Sequence, residues 1–478
     1  MPDLVLFNTL GRKPARFAPL EPGVARLYTC GPTVYNDVHI GNLRTFLFED
    51  LLRRSLRYLG YRVEQVMNVT DVDDKTIQGA HRAGVTLAEY TAPFIESFLR
   101  DLDALHVERA EHFPRATEHI PDIIALVARL VEQGYAYQSD GSVFFSIARD
   151  ADYGRLSGFD LAQVRRGERV AQDEYGKEDV RDFVLWKGVK PGEPAWDSPW
   201  GPGRPGWHVE CSAMSMKYLG ETFDLHCGGV DLIFPHHENE IAQSESATGK
   251  PFVRTWVHCE HLIVDGQKMS KSLGNQYTLE DLVDRGHSPR AIRYLFLSVH
   301  YRQKINFTFE SLEAAAGALR RLDEMRFRLA HTAAAGPPDP GLAAAAGRLP
   351  RDFAAGLADD LNAAAALAAL FVFVKEVNVA IEEGRVGAGD RERILAALAD
   401  ADRVLGVLDP AAWPAADAAH AADTAAADEE ADVERLIAER NAARQRRDFA
   451  AADRVRAELA GRGIVLEDTP QGTRWKRR

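Results

Sequence analysis

The sequence predicts an α/β protein with a doubly wound parallel sheet in its first half, then an α-helical bundle, then a small C-terminal α+β domain. Three observations indicate this order. A strand–helix–strand pattern occupies residues 25–70, alanine- and leucine-rich segments fill residues 310–408, and amphipathic segments begin near residue 430. Parallel strands need a crossover connection, which is usually a helix. At 478 residues the chain is too long for one core, so several domains are expected.

The first strand–helix–strand unit starts with a short strand over residues 26–30. A helix is expected from near Asn42, because apolar residues recur at helical spacing, and Gly60 follows its end. Residues 61–70 return as a β-branched strand. Ligands of a doubly wound sheet bind beyond the carboxyl ends of its strands. The polar residues expected at that edge are Cys30, His39, Thr70 and Asp71.

An insertion is predicted over about 115–205, with a helix over 120–134 and a strand around 143–145. The sheet is expected to resume near Trp207. Farther on, Ser288 and Pro289 have the residue types of an N-cap and a first helical position, which predicts a helix through Ser298.

The C-terminal third is predicted to be mostly helical. A bundle over 310–408 is interrupted by a proline-rich break at 336–338, and the Ala/Asp-rich run 411–428 is typical of a linker. Two amphipathic helices and a hairpin-like end at 463–475 follow. Their expected apolar positions are Val433, Leu436 and Ile437 on the first helix and Phe449, Val455 and Leu459 on the second.

The overall charge of −13 argues against a nucleic-acid partner, but a whole-chain charge sets only the long-range field. From residue 434 to the end the chain has twelve Arg and Lys residues against seven Asp and Glu residues, a net charge of +5. The last residues, 474–478, interleave a tryptophan with cations, an arrangement that can stack an unpaired base and hold phosphates. A solvated basic face is the ordinary alternative, and we favour RNA because of the resemblance described below.

The start of the chain has no basic segment followed by an apolar run, so no secretory signal is expected. No stretch is judged long and apolar enough to span a membrane, and the expected location is cytoplasmic. Without export, no disulfide framework is expected from the four cysteines, and no Cys-x-x-Cys pair is present. They are Cys30, Cys211, Cys227 and Cys259.

Two short motifs indicate chemistry with a nucleotide triphosphate. The turn His39-Ile40-Gly41-Asn42 precedes a helix, where backbone N–H groups and the helix dipole favour an anion, and Gly41 permits close approach to the backbone. The loop Lys268-Met269-Ser270-Lys271-Ser272 places two lysines where they can follow a migrating phosphate. Each motif alone also fits an ordinary loop. No Walker-type phosphate loop is present.

A third segment, residues 235–240, is dense in side chains that can bind a metal. If it opens a helix, His236 and Glu240 are four residues apart on one face. A solvated, capped helix start is the alternative interpretation.

The two motifs, in this order and more than two hundred residues apart, resemble the signatures of class I aminoacyl-tRNA synthetases. The string KMSKSLGN at 268–275, Cys30 within Tyr28–Thr33 and Cys211 within Gly206–Ser212 narrow the resemblance to the cysteinyl-tRNA synthetase family. The segments 359–362 and 463–475 resemble its helix bundle and its anticodon-reading end. The similarity covers almost the whole chain.

The resemblance implies a Rossmann-like catalytic domain that activates L-cysteine with Mg²⁺-ATP and transfers it to tRNA(Cys). It implies catalytic roles for His39, Lys268 and Lys271, and an ATP site completed by Gly41, Asn42, Gly229 and Asp231. It implies substrate contacts from Thr70, Asp71 and Trp207, and one Zn²⁺ per subunit held by Cys30, Cys211, His236 and Glu240. Asn42 stands where the family often has a second histidine, and keeps a donor without a titratable group. For Asp231, a capping role in a glycine turn is an equal alternative.

The domain boundaries implied are a catalytic domain over 1–265, a stem-contact region over 266–312, a tRNA-binding bundle over 313–410, a linker over 411–429 and an anticodon-binding domain over 430–478. A monomer without membrane association is implied. Two rivals share part of this pattern. Small-molecule cysteine ligases of the mycothiol pathway have the fold and the zinc site but lack the C-terminal domain, and an RNA-binding module with a structural zinc would not need the lysine loop.

Overall fold

A computed structural model describes residues 2–158, 182–334, 336–413, 433, 435–446, 448–462, 464–469 and 472–477. The chain divides into two compact units, Met1–Asp409 and Pro410–Arg478. Most of the predicted linker, the middle of the predicted insertion, and the basic residues Arg447 and Arg478 lie outside the described residues.

Strands occur throughout the first unit. They are β1 (Val5–Asn8), β2 (Lys13–Arg16), β3 (Val24–Thr29), β4 (Arg62–Met67), β5 (Ala136–Ser139), β6 (Ser142–Phe145), β7 (Phe183–Gly188), β8 (Gly203–Pro205), β9 (Phe223–Gly229), β10 (Val253–Cys259), β11 (Leu262–Val264), β12 (Gln267–Lys268) and β13 (Ile305–Phe307).

Helices cover the sheet and then form the bundle. They are α1 (Ile40–Tyr58), α2 (Asp74–Ala83), α3 (Leu87–Ala104), α4 (Ile120–Glu132), α5 (Trp207–Leu219), α6 (Glu238–Thr248), α7 (Leu279–Asp284), α8 (Pro289–Leu297), α9 (Phe309–His331), α10 (Pro340–Ala358), α11 (Ala363–Glu382) and α12 (Asp390–Leu405).

The central sheet has the strand order β10-β9-β3-β4, and its strands are parallel. Leu27 of β3 lies between Leu225 of β9 and Gln65 of β4. The chain moves from β3 through α1 to β4 on one side, while β9 and β10 extend the sheet on the other. The doubly wound sheet predicted from sequence is therefore confirmed. The carboxyl ends of β3 and β9 flank the point where the winding reverses, which is where such sheets bind ligands.

Helix α1 forms because an apolar stripe faces the sheet and both ends are capped. Leu43, Leu47 and Leu51 are buried, and burial of each such side chain contributes about 1.5–3 kcal/mol. The helix begins two residues before the position expected, because His39 caps it. Gly60 has φ of +97°, a conformation that a residue with a Cβ adopts poorly, and it ends the element.

The insertion supplies α4 and an antiparallel sheet of order β5-β6-β7-β8 that leads directly into α5. Lys187 of β7 and Arg204 of β8 both pair with Asp74 at the start of α2. These ion pairs fix the strand that delivers Trp207 to the first turn of α5. Asp74 is thus an ion-pair partner, and the cap of α2 is Asp73.

The bundle consists of α9 to α12, and α11 corrects one expectation. By length and composition it could cross a membrane, which contradicts the expectation that no stretch is long and apolar enough to do so. Alanine and valine raise its hydropathy, and the same residues pack a bundle. Leu367, Leu370 and Val374 are buried within the unit. The cap and first residue predicted for α8, Ser288 and Pro289, are confirmed.

The second unit contains α13 (435–445), α14 (Phe449–Gly461) and a hairpin of β14 (Ile464–Thr469) and β15 (Gly472–Arg477). The predicted helices and hairpin are confirmed. Their shared core is formed by Val433, Leu436, Ile437, Val455, Leu459 and Ile464. Phe449 was expected on the apolar face but is 62% exposed, because it is the first residue of α14 and precedes the face that packs.

Candidate active site and metal centre

His39 and Asn42 form a reciprocal cap at the start of α1. The backbone N–H of Asn42 donates to His39 Nδ1 at 3.2 Å, and the backbone N–H of His39 donates to Asn42 Oδ1 at 3.2 Å. This capping box stabilises the helix start. Because Nδ1 accepts a hydrogen bond from a backbone N–H, the ring proton of neutral His39 is on Nε2. The cap therefore fixes both the direction and the tautomer of the imidazole.

The two motif loops contact each other at Gly41. A Cβ on Gly41 would lie 2.7 Å from Met269 Cε and 3.1 Å from His39 Cε1, so only glycine fits between the methionine and the imidazole. The backbone N–H of Ile40 also donates to the carbonyl oxygen of Tyr277 at 2.9 Å. The sequence predicted a role for each loop but contained no signal that they touch.

The side chain of Asn275 holds the lysine loop in shape. Its Oδ1 accepts from the backbone N–H of Ser270 at 2.8 Å, and its Nδ2 donates to the carbonyl oxygen of Lys268 at 3.3 Å. Lys268 ends β12 and is exposed, and Lys271 begins a short 3₁₀ turn over Lys271–Leu273. Through Met269, this loop lies against Gly41 at the start of α1.

Gly229 and Asp231 lie at the carboxyl end of β9, beside helix α1. A Cβ on Gly229 would lie 2.4 Å from Asp231 Oδ1 and 3.8 Å from Thr45 Oγ1, so a side chain there would displace the carboxylate. Asp231 is exposed in the turn that follows the strand. Its carboxylate is available at the edge of the sheet where α1 begins.

A buried group of metal-binding side chains lies at the carboxyl end of β3. Cys30 follows β3, Cys211 is on α5, and Glu240 is on α6. His236 lies in the turn before α6, not in the helix itself, yet its Nε2 is 3.1 Å from Glu240 Oε1. The ligand atoms of Cys30, Cys211, His236 and Glu240 lie within 4.8 Å of one another.

A second group shares two members with the first. Cys30 and Glu240 also lie within 4.8 Å of His226 and His237. Here Glu240 Oε2 is 2.9 Å from His226 Nε2, and Cys30 Sγ is 3.4 Å from His237 Nε2. Beyond them, His237 Nδ1 is 2.8 Å from His258 Nε2. The first group is surrounded by imidazoles that fix the direction of its carboxylate.

The electrostatics of the group favour a bound cation. Burial raises the pKa of Cys30, whereas a hydrogen bond with Cys30 lowers the pKa of Cys211. Burial alone would lower the pKa of His236, but Cys211 and Glu240 beside it raise the pKa to about 10. Thiol and carboxyl groups around one imidazole thus favour positive charge at this point of the site. A divalent metal ion would supply such a charge.

The residues proposed for the amino acid lie next to this group. Trp207 is 38% exposed, and its ring stacks on His236 with centroids 4.3 Å apart. Thr70 Oγ1 donates to Glu210 Oε2 at 3.1 Å, and burial raises the pKa of Glu210. The two oxygens of Asp71 accept from the N–H and the hydroxyl of Thr117, at 3.0 and 2.6 Å.

Sequence reasoning missed the residues that surround the predicted ligands. Glu210 directly precedes the predicted ligand Cys211 and is fully buried. His226 and His258 lie on buried strands, and His208 follows Trp207 in the sequence. A charged or imidazole side chain within an apolar strand was the available signal, since such groups are buried only with partners. The missed residues are His208, Glu210, His226 and His258.

The fold matches solved synthetases. The Mycobacterium tuberculosis methionyl-tRNA synthetase in complex with methionyl-adenylate aligns with a TM-score of 0.58 at 17% identity, over 80% of this chain and 90% of that one. LeuRS of Agrobacterium radiobacter, in a ternary complex with tRNA and LeuAMS, aligns with a TM-score of 0.57 at 14% identity. That alignment covers 82% of this chain and 85% of that one. The architecture is that of the class I aminoacyl-tRNA synthetases.

Family models and curated relatives are more specific. The model described as tRNA synthetases class I (C) catalytic domain matches residues 16–317, a DALR domain matches 352–409, and a cysteinyl-tRNA ligase anticodon binding domain matches 426–475. Cysteine–tRNA ligase of Solibacter usitatus is 49% identical over 99% of this chain and 100% of its own length, and that of Chlamydia muridarum is 46% identical over the same shares. The chain belongs to the cysteine–tRNA ligase family, whose enzymes charge tRNA with cysteine.

Proposed function

We propose that this enzyme activates L-cysteine with ATP to cysteinyl-adenylate and transfers it to the terminal adenosine of tRNA(Cys), with zinc selecting the substrate thiolate. The observation that carries this proposal is the buried group of two thiols, one imidazole and one carboxylate at the carboxyl end of β3, within 4.8 Å of one another. It lies beside Trp207 and on the same sheet edge as the motif turn that caps α1.

Cys30, Cys211, His236 and Glu240 fit Zn²⁺ better than the alternative group with one thiol. Zinc favours thiolate and imidazole ligands, and this set offers both sulfurs of the site. A bound zinc ion would supply a soft Lewis acid that prefers the thiolate of cysteine to the hard hydroxyl of serine. A pocket that reads only shape separates such near-isosteres by about 1–3 kcal/mol, so selection by the metal makes a separate editing site unnecessary.

The nucleotide would bind along the edge formed by the two motif loops and the end of β9. His39, with its Nε2 proton, donates to phosphate, and Lys268 and Lys271 stabilise the charge that develops on pyrophosphate. Gly41 and Gly229 permit close approach of ATP, Asn42 orders the turn, and Asp231 accepts from ribose hydroxyls. Mg²⁺ accompanies ATP. Thr70, Asp71 and Trp207 line the pocket for the amino acid.

The remaining regions would bind tRNA. We assign the catalytic domain to residues 1–265, contacts with the acceptor stem to 266–312, further tRNA contacts to the bundle 313–410, a linker to 411–429 and the anticodon to 430–478. The basic character of the last segment supports this assignment, because phosphate contacts supply most of the affinity for RNA. We propose a monomer, in line with one complete site in a single chain.

The test compares two buried cysteines. Cys211→Ser should lower the zinc content. In cysteine-dependent ATP–pyrophosphate exchange, it should weaken the affinity for cysteine more than the affinity for ATP. Cys227→Ser, at an equally buried cysteine outside the ligand group, is the control and should keep zinc and both affinities. Equal loss of affinity for both substrates in Cys211→Ser would mean that a metal at this site serves only the fold.

A further inference from the structure

A buried series of hydrogen bonds joins the carboxyl ends of β3 and β4 to α5. The backbone N–H of Gly31 donates to Asn68 Oδ1 at 3.0 Å, and Asn68 Nδ2 donates to Thr70 Oγ1 at 3.2 Å. Thr70 Oγ1 then donates to Glu210 Oε2 at 3.1 Å. Asn68, Thr70 and Glu210 are at most 2% exposed. The series runs from the residue after one proposed zinc ligand, Cys30, to the residue before another, Cys211.

The order of donors in this series fixes what Thr70 can do. A threonine hydroxyl has one proton and two acceptor lone pairs. The proton is directed to Glu210, and Asn68 occupies one lone pair. Only an acceptor position remains. Thr70 is therefore set to receive a hydrogen bond from a donor, such as an ammonium group.

Glu210 has capacity left for the same partner. Its Oε1 has no hydrogen-bond partner among the residues that the structure describes, and the side chain is fully buried. A buried polar atom that lacks a hydrogen-bond partner is costly, and a donor on a bound ligand offsets that cost. Each oxygen of Asp71 already accepts one hydrogen bond from Thr117, whereas Glu210 Oε1 accepts none from the described residues.

We propose that Glu210 is a positioning residue that holds the Thr70 hydroxyl as an acceptor for the ammonium group of the amino-acid substrate. The ammonium group donates to the lone pair of Thr70 Oγ1 that Asn68 leaves open. This inference rests on the proposed function, since it places the substrate amino acid beside the thiol and imidazole group. It explains why a glutamate adjoins a zinc ligand without being one.

The test uses two ligands that differ in the ammonium group alone. Cysteine and 3-mercaptopropionate share the thiol and the carboxylate, but the second compound has no amino group. Binding of each is measured by calorimetry to zinc-replete protein. Glu210→Gln should weaken the binding of cysteine about 10–30-fold, in line with about 1.5–2 kcal/mol for a hydrogen bond to a charged group. The affinity for 3-mercaptopropionate should change by no more than about twofold.

Two further variants give the comparison its controls. Thr70→Val keeps the shape of the side chain and removes the acceptor. It should therefore weaken the binding of cysteine and leave the binding of 3-mercaptopropionate unchanged, as Glu210→Gln does. It also tests the inference should Glu210→Gln lose zinc. Glu238→Gln changes another buried glutamate, whose oxygens accept from the N–H groups of Leu156 and Ser157, and should leave the ratio of the two affinities unchanged.

The outcomes separate this inference from the function on which it rests. Equal weakening of both ligands in Glu210→Gln and Thr70→Val, with zinc retained, would overturn the positioning role and leave the proposed function intact. Failure of the unaltered protein to bind either thiol would instead contradict the proposed function. Selective loss of cysteine in both variants is the result expected.

Discussion

Asn42→Ala removes one half of the cap that orients His39. The variant loses the Oδ1 that accepts from the backbone N–H of His39, while the backbone N–H of residue 42 remains to donate to Nδ1. The imidazole keeps its own contact at Nδ1, but the backbone of His39 loses the hydrogen bond that holds it at the helix start. The change isolates a residue that serves the turn and has no titratable group of its own.

The expected magnitudes follow from the cap. Loss of a capping interaction costs about 0.5–2 kcal/mol of stability, typically about 1. A similar free energy lost from the orientation of His39 in the transition state, about 1–2 kcal/mol, slows adenylate formation about 5–30-fold. The affinity for cysteine should not change, because Thr70 and the metal ligands lie on other elements.

The assay is ATP–pyrophosphate exchange, with thermal unfolding measured on the same protein. Asn362→Ala is the matched control, because Asn362 caps α11 through the backbone N–H of Ala365 at 3.0 Å and lies outside the site. It should lose similar stability with an unchanged exchange rate. Equal exchange rates in the two variants would refute the claim that the cap acts through His39.

Two further predictions concern other parts of the chain. Glu49 on α1 is fully buried, and its oxygens have no partner among the described residues, so burial raises its pKa well above the usual value. The unaltered protein should therefore lose stability as pH rises from about 4.5 toward that raised pKa, and the advantage in melting temperature of Glu49→Gln should grow between pH 5 and pH 8; parallel profiles would contradict this. A chain ending at residue 428 should keep cysteine-dependent exchange, because residues 1–409 form a compact unit, and should show a raised KM for tRNA; unchanged charging kinetics would contradict the assignment of anticodon contacts.

Local features of the sequence predicted much of the fold. The parallel strands β3 and β4 follow from apolar runs on either side of a helical pattern, and the start of α8 follows from Ser288 and Pro289. These features depend on backbone propensity and on the spacing of side chains. The exposure of Phe449 could not be predicted in this way, since it depends on where the packed face of α14 begins.

In the candidate site, too, some features were predicted from the sequence and others depend on how the chain packs. The four predicted metal ligands come together, but the sequence showed no reason for a second group with His226 and His237 around the same carboxylate. Contacts between residues far apart in sequence, such as Met269 over Gly41, depend on the packing of loops against the sheet edge. The family resemblance therefore named these four side chains together, whereas the contacts that orient them required the folded chain.

The most direct test of the whole account is to charge bulk bacterial tRNA with labelled cysteine, alongside cysteine-dependent ATP–pyrophosphate exchange, in zinc-replete protein. We expect both activities, with serine inactive at equal concentration. Exchange without charging of a broad tRNA pool would contradict the assignment of tRNA as acceptor and would favour a small-molecule ligase. Absence of both would contradict the proposed chemistry altogether.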